Sequence, residues 1–178
     1  TKGRSAGSRM AMIELQDRLS RVEAVIFAES FAKYGDLVQP NEVVVAIGRV
    51  DDRRGETQVI IERLLKPDEA SAFLAESVEL DIHDDDQLSI EQRIRDVTGQ
   101  LKQAGGARTS DGASPASVYV RLFRPEGVVR LQTNLKVIFR RDLIDQLAVT
   151  LGGENRIRIN AMSPTTVLPP RKRRYGKR

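Results

Sequence analysis

The 178-residue sequence has no cysteine, no tryptophan and a single histidine. Without cysteine there are no disulfides and no thiolate metal sites, which fits a reducing compartment, and a cytoplasmic location is the expectation. A nucleophile paired with a catalytic base has almost nothing to be built from. Aromatic residues make up only 4% of the chain, yet aromatic stacking carries much of single-strand nucleic-acid affinity. Any such binding is therefore expected to be salt-sensitive and tolerant of sequence. No apolar run approaches the roughly 20 residues of a membrane-spanning helix, and no secretory leader pattern is visible. Phosphate-cradling motifs are missing too. The pairs Gly105-Gly106 and Gly152-Gly153 lack a preceding strand and a following Lys-Ser or Lys-Thr.

Charge is present but unevenly placed. The net value is +4. Arg171, Lys172, Arg173, Arg174, Lys177 and Arg178 contribute six cations with no acid among them, so the remainder stands at −2. The basic pI thus reports the tail and is poor grounds for nucleic-acid binding elsewhere. Residues 161–178 have no periodicity. Pro164, Pro169 and Pro170 are expected to keep them extended and disordered, with Arg171, Lys172, Arg173 and Arg174 as an electrostatic hold on nucleic acid.

Period decides the rest. Residues 10–16 alternate, with Ala11, Ile13 and Leu15 on one side, and predict a strand. Residues 21–27 predict a second, with Val22, Ala24 and Ile26 on one face. Phe31, Tyr34 and Leu37 then recur at helical spacing, ended by Pro40-Asn41. Residues 42–50 and 57–65 return to strand around the polar turn 51–56, which carries Arg53 and Arg54. A helix inserted between the third and fourth strands is how an OB-fold barrel is wired. On that reading the chain starts after the first strand. The absence of an initiator methionine adds to the expectation that it is a piece of something longer. Residues 1–9 are Gly/Ser-rich with Lys2, Arg4 and Arg9, and read as a loop whose cations contact phosphates. A solvated surface loop is the bland alternative. The bland alternative for Arg53 and Arg54 is a charged tip that blunts a sheet edge.

Residues 67–75 read as a linker or short helix. Val78, Leu80 and Ile82 alternate in a strand. Asp84, Asp85 and Asp86 beside His83 could suggest a metal site, but acids also favour the positive start of a helix, and Ser89 with Gln92 has capping-box spacing. Ile90, Ile94, Val97 and Leu101 mark that helix, and Gly105-Gly106 stops it. Residues 117–124 alternate, Pro125-Glu126-Gly127 turns, residues 128–139 return, residues 140–151 form a second amphipathic helix, and residues 155–160 a last strand. The order βαββαβ predicts a small α+β ferredoxin-like domain.

The matching residues Met10-Ala11, Leu15-Gln16-Asp17, residues 22–27, the Phe31–Tyr34 helix and Val44–Val50 with Gly48-Arg49 resemble the OB domain near the C-terminus of the alpha subunit of bacterial DNA polymerase III. Val118-Tyr119-Val120 before a hairpin, and Leu151-Gly152 before a last strand, resemble the domain that follows it in that family. Met12 stands where the family often has an aromatic, and Ala28 where it often has a proline. The resemblance implies a mixed fold: an all-β OB barrel lacking its first strand over residues 1–66, a linker over 67–75, an α+β domain over 76–160 and a basic tail over 161–178. It further implies a DNA-directed DNA polymerase as the parent protein, with its magnesium-dependent active site upstream. This segment would carry no catalytic residue and no cofactor. The expected partners are single-stranded template DNA, the tau subunit of the clamp loader and other holoenzyme subunits, with no membrane. The nucleic-acid candidates are Lys2, Arg4, Arg9, Met12, Arg21, Phe27, Arg49, Arg53 and Arg54. The protein-contact candidates are Tyr119, Arg121 and Phe123. Two other classes stay open: a free-standing single-strand-binding module, and a structural interaction domain without DNA binding.

Overall fold

The computed structural model describes residues 9–52, 55, 57–84, 89–106, 109 and 112–168. The chain forms two compact units, residues 1–67 and 68–178, each with its own four-stranded sheet.

The first unit contains β1 (Ala11–Gln16), β2 (Arg21–Ile26), α1 (Ala28–Tyr34) with a 3-10 turn at Gly35–Leu37, β3 (Val45–Asp51) and β4 (Gln58–Leu65). The sheet order is β1-β2-β4-β3. β1 and β2 are an antiparallel hairpin, whereas β2 and β4 run parallel, as the intervening α1 and β3 require. Asp17 ties the hairpin turn. Its Oδ1 accepts from the backbone N–H of Leu19 at 2.8 Å and of Ser20 at 2.7 Å. These bonds hold the Asp17 carboxyl below its ordinary pKa. A depressed pKa means stability present above the unfolded value and lost as pH falls through the folded one. Asp17→Ala should therefore lower the melting temperature of this unit at neutral pH. The gap to wild type should close below about pH 4, as followed by circular dichroism; a gap independent of pH would refute the assignment.

The core of the first unit is Ala24, Ile26, Ile61 and Leu64, joined by half-buried Ala11, Ile13, Leu15, Phe31, Tyr34, Leu37 and Ala46. Phe31 and Tyr34 thus serve packing, as their helical spacing implied. The Ser30 hydroxyl donates to the Glu62 carbonyl at 3.2 Å and pins α1 to β4. β3 and β4 slip register between Ile47 and Gly48. That bulge lets Ile61 and Leu64, three residues apart, both face the core. Gly48 is required at the bulge, since a Cβ there would lie 2.5 Å from the Ile60 carbonyl oxygen.

The second unit runs α2 (Ala70–Leu74), β5 (Ala75–His83), α3 (Ile90–Ala104), β6 (Ala116–Arg124), β7 (Gly127–Val137), α4 (Arg141–Leu151), a 3-10 turn at Glu154–Arg156, β8 (Ile157–Ala161) and α5 (Pro164–Val167). Its sheet order is β7-β6-β5-β8. This corrects the ferredoxin-like expectation. A ferredoxin-like sheet splits its βαβ units, placing another strand between the two parallel ones. Here β5 and β6 pair directly, in parallel, from Ser77–Ser117 to His83–Phe123, and β8 takes the other side of β5. The order of elements along the chain is as expected; only their lateral order differs. Alternation fixes which face each strand buries but not which neighbour it takes.

Helices α3 and α4 cover one face of this sheet. Val78, Leu80, Ile82, Val118, Val120 and Leu122 from the central strands meet Ile90, Val97, Leu101, Leu143, Leu147 and Leu151 from the helices. The Ser89 hydroxyl accepts from Gln92 N–H at 3.3 Å and caps α3. Gly152, at φ 88°, closes α4 in the left-handed conformation that glycine permits. Residues 138–139 leave the strand expected over 128–139 and turn inward, with Phe139 fully buried. Of the segment 67–75, residues 70–74 form α2, which packs in the second unit. Ala72 is buried beside Ala113 and Ile138, and the Ser71 hydroxyl donates to the Phe139 carbonyl at 2.7 Å. The expected extended tail is corrected over its first residues: Ala161 ends β8, and residues 164–167 form a helical turn capped by Ser163. Residues 169–178, with Arg171, Lys172, Arg173 and Arg174, lie outside the described residues.

Candidate nucleic-acid interface and the open face of the second sheet

In the first unit the sheet face turned away from the core is the surface to test. Alternation places Met12, Glu14, Gln16, Arg21 and Glu23 on it from β1 and β2, and Arg49, Asp51, Ile60, Glu62 and Arg63 from β3 and β4. Glu14 sits directly across from Glu23, an unfavourable like-charge pair. Arg21 offsets it by reaching Glu14 at 3.4 Å. Arg49 lies against Glu62 at 2.7 Å, both about a quarter exposed. Glu14, Glu23, Asp51 and Glu62 thus outnumber Arg21, Arg49 and Arg63 on this face. The expected phosphate role of Arg21 and Arg49 meets an obstacle: each already faces a carboxylate, closely so at Arg49, and the charges named on this face sum to −1 and give a polyanion no net attraction.

Of the remaining candidates, Met12 lies on this face in the edge strand β1 and Phe27 follows β2. Met12 is 71% exposed and Phe27, at the start of α1, is 50% exposed. Phe27 is therefore available for stacking. Arg9 is exposed and lines a recess with Phe31, Gly35 and Asp36. Arg18 is an exposed loop cation in the β1–β2 turn that sequence reading passed over; its place beside the fixed Asp17 turn is the signal that could have found it. Lys2, Arg4, Arg53 and Arg54 lie outside the described residues. Among the described residues β1 and β3 are both edge strands. A groove lined by Ile13, Leu15, Leu37, Val44, Ala46 and Leu64 opens in this unit.

In the second unit Tyr119, Arg121 and Phe123 point away from the helices, as their alternation with Val118, Val120 and Leu122 implied. They join a network that spans all four strands. Arg121 Nε donates to Asp81 Oδ1 at 2.8 Å and Nη2 to Oδ2 at 2.7 Å, a bidentate pair. Arg158 from β8 approaches the same Oδ2 at 3.5 Å. Glu79 takes Arg130 at 2.9 Å and Arg121 at 3.9 Å. The hydrogen bonds that Arg121 donates to Asp81 push its pKa above the ordinary value. Arg130 also lies over the Tyr119 ring at 3.9 Å. The His83 ring stacks on Phe123 at 4.2 Å with planes 5° apart. The single histidine thus packs on a sheet. Among the described residues no group of three or more His, Asp or Glu could hold a metal ion. Sequence reasoning missed Glu79, Asp81, Arg130 and Arg158. Each alternates with apolar residues and so was legible as facing out, but their meeting across four strands depends on strand order.

Residues 1–66 match the family model of an OB-fold nucleic acid binding domain, the tRNA anti-codon family. Three curated relatives are DNA polymerase III alpha subunits. That of Haemophilus influenzae is 28% identical over 148 residues, covering 82% of this chain and 12% of the relative. That of Pseudomonas aeruginosa is 37% identical over 81 residues, covering 44% and 7%. That of Pasteurella multocida is 26% identical over 159 residues, covering 88% and 13%. The chain is homologous to bacterial DNA polymerase III alpha subunits. It spans only about an eighth of their length at most, 13% in the Pasteurella multocida case. The observed wiring agrees with the OB assignment: α1 falls between two strands of one sheet, and the strand before it pairs in parallel with β4. No described helix is long and apolar enough to cross a membrane.

Proposed function

We propose that this chain is a non-catalytic part of a replicative DNA polymerase alpha subunit. Its OB unit holds single-stranded template DNA, and its second unit docks the tau subunit of the clamp loader or another holoenzyme component. The observation that carries this reading is homology running through both units in a single 148-residue stretch. The parent protein would act as a DNA-directed DNA polymerase in the cytoplasm, with magnesium bound outside this segment. Phosphate contacts fall to the loop cations Lys2, Arg4, Arg9, Arg18, Arg53 and Arg54 rather than to Arg21 and Arg49, which are engaged with Glu14 and Glu62 respectively. Phe27 offers a stacking ring.

The test is anisotropy of a labelled single-stranded oligonucleotide titrated at several salt concentrations, with and without residues 161–178. Lys2/Arg4/Arg9 substitution is expected to weaken binding by about tenfold and to reduce the salt slope by about two to three, as lost phosphate contacts do. Arg49→Ala is expected to leave affinity within about twofold, since its guanidinium already serves Glu62. Binding that disappears with the tail alone would favour the second reading, a structural interaction domain without DNA binding, which the pairing of Arg21 and Arg49 with carboxylates supports.

A further inference from the structure

β7 is an eleven-residue strand at the edge of the second sheet. Its inner side is paired with β6. On its outer side, among the described residues, only Val137 has a bridge, to Gly105. Edge strands of this length are commonly blunted by a bulge, a proline or inward charge. β7 has no proline; its ladder with β6 slips register at residues 133–135, opposite Val118, and the regular stretch before that bulge carries exposed apolar residues: Val128 is 56% exposed, Val129 46% and Leu131 46%. Val129 and Leu131 lie on the helix side, opposite Leu122 and Val120, beyond the part of β7 where Leu135 and Val137 join the core. Val128, Arg130, Gln132 and Lys136 lie on the other face. Up to Gln132 the strand therefore offers outer backbone groups with no bridge among the described residues, an apolar shelf of Val129 and Leu131 on one face, and on the other Arg130 and Lys136 as its charged side chains, for β7 has no acidic residue.

We infer that the outer edge of β7 receives an extended segment of a partner protein as a fifth strand, one that alternates carboxylates with apolar side chains. Strand addition draws affinity from backbone hydrogen bonds and specificity from alternate side chains. Carboxylates of the incoming strand would lie beside Lys136 and the half-exposed Arg130, which would share its guanidinium between them and Glu79, and its apolar residues would lie beside Val129 and Leu131. A second copy of this chain fits less well, because it would bring Arg130 and Lys136 against the same cations. The inference deepens the docking role proposed for the second unit and is independent of DNA binding by the first.

The test uses the full chain and two blocked, labelled nine-residue peptides, one alternating Glu with Val and one alternating Lys with Val. Binding of the Glu peptide is expected to be at least about tenfold tighter. It should slow amide exchange across residues 128–132 and not across β1 or β3. Leu131→Lys and Lys136→Glu, both at exposed sites, should each weaken it by about fivefold or more with unchanged melting temperature. Equal binding of the two peptides, or no change in exchange at β7, would overturn the inference. So would sedimentation showing a dimer that already protects β7. Isolated tau subunit separates the two readings. Tau binding that survives Lys136→Glu removes the edge but leaves the docking role; tau that ignores the wild-type chain removes the docking role while the peptide result stands.

Discussion

Arg121→Leu should destabilise the second unit by about 3 kcal/mol, because it leaves a carboxylate buried without its main partner. The Asp81 side chain is only 6% exposed and the Arg121 side chain 18%, so water cannot replace the lost guanidinium. Arg158 remains at 3.5 Å but is half exposed and recovers only part of the loss. For a unit of this size the expected fall in melting temperature is roughly 10–15 °C. The double variant Arg121→Leu/Asp81→Leu should recover much of it, since replacing both buried charges by apolar groups is often close to neutral. Thermal unfolding of the four species of the cycle checks this. A single variant as costly as the double would mean that shape, not the uncompensated charge, matters at this site.

Gly48→Ala carries the second large effect. The added methyl would sit 2.5 Å from the Ile60 carbonyl oxygen and 2.8 Å from Val59 Cγ1. The first contact is with backbone, so relief requires β3 and β4 to separate at the bulge. Overpacking of this kind typically costs 1–3 kcal/mol, and about 2–3 kcal/mol is expected here because the obstacle is main chain rather than a flexible side chain. The same shift would disturb Ile61 and Leu64, which the bulge turns into the core. Chemical denaturation monitored on the OB unit should show a lower midpoint with unchanged slope. A midpoint equal to wild type would mean that the strands part at no cost.

Much of the local structure could be read directly. The strands β1, β2 and β6 follow from alternation, and α3 from its Ser89 cap, its Ile90–Leu101 repeat and its Gly105 stop. Placement of Tyr119, Arg121 and Phe123 opposite the buried Val118, Val120 and Leu122 was equally legible, since a period of two assigns faces without knowledge of neighbours. The OB character of residues 1–66 was readable from the order strand, helix, strand.

The sequence by itself determined composition, element order and the inward and outward face of each strand, because these rest on local sterics and hydrophobic period. The tertiary structure alone decided which strands stand side by side. That choice removed the ferredoxin-like order. It paired Arg49 with Glu62 and Arg21 with Glu14, so that two expected phosphate ligands lie among carboxylates. It gathered Glu79, Asp81, Arg121, Arg130 and Arg158 into one network, and left β7 at an edge. Lateral order is set by packing between residues distant in the chain, as in the contact of Asp81 with Arg121 forty positions away, and no local pattern encodes a separation of that kind.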